Sequence, residues 1–109
     1  MNRFGPLAAV LVAIAPSASF ADDATMIAKG RSLVEGKCAR CHAIGRDDTS
    51  PHEKAPPFRD VVELYPSEDL AEALAEGIVS GHPDMPVFQF APAEIEAFLG
   101  YLNSLTSKP

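Results

Sequence analysis

The sequence predicts an all-α domain, three main helices joined by long loops. Three observations carry that prediction. Apolar residues recur at helical spacing, most plainly at Ile95, Phe98, Leu99, Leu102 and Leu105, which fall at i, i+3, i+4, i+7 and i+10. No stretch alternates apolar and polar residues as a half-buried strand would. Prolines crowd the segments between the periodic stretches, where they stop regular elements.

The 109-residue chain opens with a segment that reads as removable. Met1-Asn2-Arg3 gives a positive start, Leu7 to Ala15 is apolar, and Pro16 breaks the run. Ser19-Phe20-Ala21 then places small residues at the two positions a signal peptidase reads. This is the layout of a secretory signal peptide over residues 1–21. Its apolar run is shorter than the roughly 20 residues of a membrane span. Subtracting 21 from 109 leaves 88 residues, a single domain over 22–109. A chain this short buries only about 60% of its unfolded surface, so a covalent staple or bound cofactor is commonly needed.

The first helix is expected over 24–36. Met26, Ile27, Leu33 and Val34 share a helical face with Gly30, Asp22 and Asp23 suit the positive end of the helix dipole, and Gly36 marks the end. From Ala43 to Pro66 periodicity is lost, apart from a short apolar piece at Phe58 to Leu64. A loop this long in so small a domain is usually functional. Ser67 followed by Glu68 and Asp69 reads as a serine cap with acids in the first turn. Leu70, Leu74 and Ile78 continue that helix's apolar face, and Gly77 is its plausible end. Ser80 to Pro86 holds one glycine and two prolines in seven residues and forms no regular element. Pro92 suits the first turn of the last helix, expected over 92–105.

Nine basic and 15 acidic residues give a net charge of −6, which becomes −7 once Arg3 leaves with the leader. That balance argues against nucleic acid or anionic lipid and for a partner with a basic docking face.

Residues 38–42, Cys-Ala-Arg-Cys-His, carry the chemistry. Cys-x-x-Cys-His is the attachment pattern of haem c. Cys38, Cys41 and His42 stand at i, i+3 and i+4, so one helical turn presents two thiols to two vinyl groups and an imidazole to iron. Export supplies the compartment in which bacteria make this attachment. Three other readings compete. A thiol–disulfide redox pair needs a βαβ pattern, and none is visible. A zinc site needs four ligands, here Cys38, Cys41 and two of His42, His52 and His82, at spacings that match no familiar knuckle. A structural disulfide would close a very small loop and contribute little.

In the order of its parts, residues 24–105 resemble a small bacterial class I cytochrome c. The parts are a helix before the motif, CARCH itself, a proline-containing loop, and a methionine in a proline-bounded turn before a final aromatic helix. The resemblance implies a cytochrome c-like fold around one covalently attached haem. It implies His42 as the proximal iron ligand and Met85 as the distal one. Met26 lies on the core face of the first helix and Met1 leaves with the leader, whereas Met85 sits in a Pro-Asp-Met-Pro turn. His82, and more distantly His52, are the challengers for that position. The resemblance places the carbonyl of Pro56, in Ala55-Pro56-Pro57-Phe58, against the proximal histidine, and Phe58 against the haem, where core packing also accounts for it. It also implies that Gly30 packs against Phe98 and Tyr101 where the first and last helices meet.

The function implied is that of a periplasmic one-electron carrier, not an enzyme. Its partners would be periplasmic or membrane-bound redox proteins, and it would act as a monomer with no membrane span. The alternatives are a haem sensor or peroxidase-like protein in which Met85 is labile, and a fixed electron-transfer subunit of a dehydrogenase complex.

Overall fold

A computed structural model describes residues 9–13, 18–77 and 82–106. Its described residues form four helices and no strand: α1 over Ala18–Lys37, α2 over Phe58–Leu64, α3 over Ser67–Glu76 and α4 over Pro92–Ser104. The all-α expectation holds, with the short apolar piece at 58–64 forming a helix of its own. Most of the leader, and the Ile78 position expected to extend α3, lie outside the described residues.

Three helix ends differ from expectation, the end of α1 by a single residue. α1 begins at Ala18 rather than near residue 24, so Asp22 and Asp23 lie beyond its first turn. No glycine or proline separates Pro16 from Gly30, and Ala18 to Ala21 continue the helix without a break. Gly36 does not stop α1, which runs on to Lys37; the only glycine with positive φ among the described residues is Gly77. At α3, Ser67 is the first helical residue rather than the cap. Pro66, at φ −62° and ψ 145°, occupies the cap position, and no side chain caps it. Glu68 and Asp69 do sit in the first turn, and Gly77, at φ 101°, ends the helix in a conformation glycine tolerates best. Pro92 stands at the start of α4, where its missing N–H costs nothing, and Glu94 accepts a hydrogen bond from the Ala91 N–H at 2.8 Å.

α1 and α4 form the most extensive helix pair, and α2 and α3 pack more lightly on α4. Gly30 is where α1 and α4 approach. A Cβ there would overlap the Ala97 carbonyl oxygen and lie 2.7 Å from the Tyr101 Cβ. Tyr101 is thus a neighbour of Gly30, while Phe98 packs edge-on to Phe58 at 5.8 Å and tilted on Phe90 at 6.3 Å. Val34, Phe58, Leu74, Phe90, Phe98 and Leu102 are buried in one core. Met26 packs near Gly100, which commits it to the α1–α4 contact.

Candidate haem site

The Cys-x-x-Cys-His segment begins where α1 ends. Val34, buried in the core, accepts hydrogen bonds from the N–H groups of both Cys38 and Ala39, at 2.8 and 2.9 Å. The Cys38 carbonyl then accepts from Cys41 and His42, at 3.1 and 2.9 Å. One further turn therefore closes over residues 38–42. The two thiols are not joined in a disulfide, and both are half-buried. Burial pushes the Cys38 thiol up to about 11, against the opposing pull of the neighbouring Lys37 charge.

His42 is held from the loop that follows. Its Nδ1–H donates to the Pro56 carbonyl at 2.8 Å, 14 residues along the chain. Because a carbonyl can only accept, the ring hydrogen sits on Nδ1 and the Nε2 lone pair is left for a metal. The Phe58 ring lies 5.0 Å from the His42 ring and is itself buried, so it belongs at once to the core and to the surroundings of the histidine. Its backbone N–H donates to Ala43 at 2.8 Å, which holds the start of α2 against the residue after His42.

Cys38, Cys41, His42, Pro56 and Phe58 thus form one group. Met85 is half-buried in the turn at 82–86, with its N–H donating to the His82 carbonyl at 3.1 Å. The turn that carries it, rather than the Met85 side chain itself, is linked to the group. Asp84 accepts from His52 Nε2 at 3.1 Å, and the His52 N–H donates to the Cys41 carbonyl at 3.1 Å. On the other side, Lys37 Nζ stands 5.7 Å from the centre of the Phe88 ring. His82 is exposed and packs edge-on to His52 at 5.9 Å.

Several supports were not visible in the sequence. The Arg46 guanidinium donates to the carbonyls of Ser104, at 2.6 Å, and Leu105, at 3.1 Å, capping α4 from the loop after the motif. The Tyr101 hydroxyl donates to the Ile44 carbonyl at 2.6 Å. Asp84 and Arg46 belong to no local pattern; Lys37, a base in the last turn of α1, is the one support with a readable signal.

A cleft of about 600 Å³ lies between α1, residues 45–47 and α4, lined by Ile27, Arg31, Arg46 and Tyr101 among others. It contains none of the motif residues, and its arginines are already engaged, Arg31 with Glu35 and Arg46 with the end of α4. Among the described residues, no three His, Cys, Asp or Glu side chains are placed to hold a metal ion by themselves, so a zinc site finds no ligand set there. Two separate thiols, beside an imidazole with one nitrogen committed and the other available, instead fit a haem held through its vinyl groups and its iron.

This arrangement makes a candidate haem site on an all-α scaffold. The family model for Cytochrome c matches residues 27–106, and the chain belongs to that family. Comparison with curated proteins and with solved structures gives no match. Membership makes this a c-type cytochrome that transfers electrons through haem c to and from partner proteins. No helix among the described residues is long and apolar enough to cross a membrane.

Proposed function

We propose that this cytochrome is a periplasmic one-electron carrier of the bacterial class I type, with one haem attached through Cys38 and Cys41 and ligated by His42 and Met85. The observation that carries the proposal is the His42–Pro56 hydrogen bond at 2.8 Å beside two unpaired thiols. When bound, haem c supplies an iron that cycles between Fe(III) and Fe(II), taking one electron from a reduced protein and passing it to an oxidised one.

The chain's residues hold and tune that group. Cys38 and Cys41 are the residues that would hold the group, each as a thioether made by adding its S–H across one vinyl C=C, with no net oxidation. His42 presents Nε2 to the metal, and the Pro56 carbonyl fixes the ring orientation and raises the basicity of that nitrogen. Phe58 packs beside the imidazole and helps keep water from it. Met85 supplies a thioether, a weak ligand for ferric iron that needs a preorganised turn. With His42 and Met85 both holding the iron, no position would be left for a substrate, which favours electron transfer over catalysis. Residues 1–21 are the export leader, cleaved after Ala21.

The test is an optical spectrum of the mature protein made with haem maturation, taken oxidised and then reduced under carbon monoxide. The outcome expected is a ferric sulfur-to-iron charge-transfer band, absent in Met85→Ala, and no carbon monoxide shift in the unsubstituted protein. A low-spin spectrum without the band would transfer the distal role to His82 or His52. A high-spin iron that readily binds carbon monoxide would overturn the carrier proposal in favour of sensing or catalysis. Intact mass gives the attachment and the cleavage site in the same preparation.

A further inference from the structure

The sequence offers His52 as a candidate iron or zinc ligand, yet its hydrogen bonds give it a different task. Its backbone N–H donates to the Cys41 carbonyl at 3.1 Å, inside the attachment motif. Its Nδ1 accepts from the Lys54 N–H at 3.1 Å, which leaves the ring hydrogen on Nε2, and Nε2 donates to Asp84 Oδ2 at 3.1 Å. Asp84 is the residue before Met85, 32 positions along the chain from His52. The imidazole is the better sheltered partner, with the side chain of His52 29% exposed and that of Asp84 67%. A single residue therefore joins the backbone of the thiol-bearing turn to the turn that carries the methionine.

We infer that His52 is a positioning residue: through Asp84 it holds the Met85 turn in register with the Cys38–His42 segment and so keeps the thioether at the iron. This rests on Met85 being the distal ligand. Met85 is carried by a turn bounded by Pro83 and Pro86, and among the described residues the turn's own backbone bond runs from Met85 to His82. A bond from outside the turn is what limits its excursions. Lys37 over Phe88 is the corresponding contact on the far side of Met85, weaker because a cation on a ring is worth less at an exposed position.

Two substitutions separate the clamp from a local turn. In His52→Gln the amide nitrogen reaches the position of Nε2 and can still donate to Asp84. In His52→Asn the side-chain oxygen takes the place of Nδ1 and can still accept from Lys54, but nothing reaches Asp84. The probe is imidazole added to the oxidised holoprotein, with displacement of the thioether read from the charge-transfer band. Loss of one such hydrogen bond predicts that His52→Ala, His52→Asn and Asp84→Ala bind imidazole about fivefold more tightly, while His52→Gln stays within about twofold of the unsubstituted protein. Covalent haem content and a low-spin Soret band identify the variants that have folded. Asparagine rescuing and glutamine failing would overturn the clamp in favour of a local turn, as would unchanged imidazole affinity in all four. A band that is missing from the unsubstituted protein, or that survives Met85→Ala, overturns the ligand assignment itself. A band present and Met85-dependent, with flat imidazole affinities, overturns the clamp alone.

Discussion

Tyr101 joins packing and polarity in one side chain. Its ring is buried beside Gly30, and its hydroxyl donates at 2.6 Å to the carbonyl of Ile44, two residues past His42. Its pKa is raised, chiefly by burial; the Asp48 and Glu35 charges add to the effect, and those of Arg31 and Arg46 oppose it. The folded state therefore keeps the phenol protonated where the unfolded chain, titrating near 10, has begun to lose it. The stability this contributes is complete below about pH 10 and is lost as pH rises from there through the folded pKa. Tyr101→Phe leaves the part-buried Ile44 carbonyl without its donor and costs about 1–3 kcal/mol at neutral pH. Denaturant titrations of both proteins at pH 7 and at about pH 11 should show the gap narrowing at the higher pH. A gap that does not change would mean that the phenol's titration is not coupled to folding.

Among the elements, α1 supplies a controlled comparison, because it holds two glycines in different surroundings. At Gly30 a new Cβ meets the Ala97 carbonyl and the Tyr101 Cβ, neither of which can rotate away. At Gly36 nothing lies within 4 Å. Alanine is the better helix former by about 1 kcal/mol, so Gly36→Ala should stabilise by up to that amount. Gly30→Ala should instead destabilise by about 1–3 kcal/mol, because overpacking outweighs propensity. Thermal or denaturant unfolding gives both signs, and two shifts in the same direction would contradict the close crossing of α1 and α4. The pair also marks what the sequence could disclose. Helical periodicity and the fit of Pro92 at a helix start are local, and they located α2, α3 and α4 closely. Gly30 was legible as a packing position, while Gly36 looked like a stop only because composition does not reveal the sign of φ. The attachment motif is five contiguous residues and could be read directly. The supports around it could not: His52 to Asp84 spans 32 residues and Arg46 to Leu105 spans 59. Contacts of that range depend on how the loops are laid over the core, and no periodicity encodes them.

At the scale of the whole molecule, charge governs how a carrier meets its partners. The chain carries a net −6, and its acids are unevenly spread. Glu68, Asp69, Glu72 and Glu76 all lie exposed on α3, whereas Lys37 and Arg40 stand exposed at the attachment motif. Two effects then compete for a partner with a basic docking face: attraction by the molecule as a whole, and local repulsion beside the cysteines. Over distances beyond the Debye length, about 10 Å at 0.1 M salt, exposed charges are screened, so the overall attraction is what added salt removes first. Electrostatic steering changes association rates by about 10- to 1,000-fold. Second-order electron transfer to a basic redox protein should therefore slow by about tenfold or more as salt rises from low to high ionic strength, and transfer to an acidic one should speed up. Replacing Glu68, Asp69, Glu72 and Glu76 by their amides removes four negative charges and should flatten that dependence without moving the optical spectrum, since α3 holds none of the proposed haem ligands. Stopped-flow rates across a salt series measure the slope. A slope unchanged by the four substitutions would show that the charges near the motif, rather than the acidic face of α3, set the encounter. In that case Lys37→Gln should raise the rate with the basic partner at low salt.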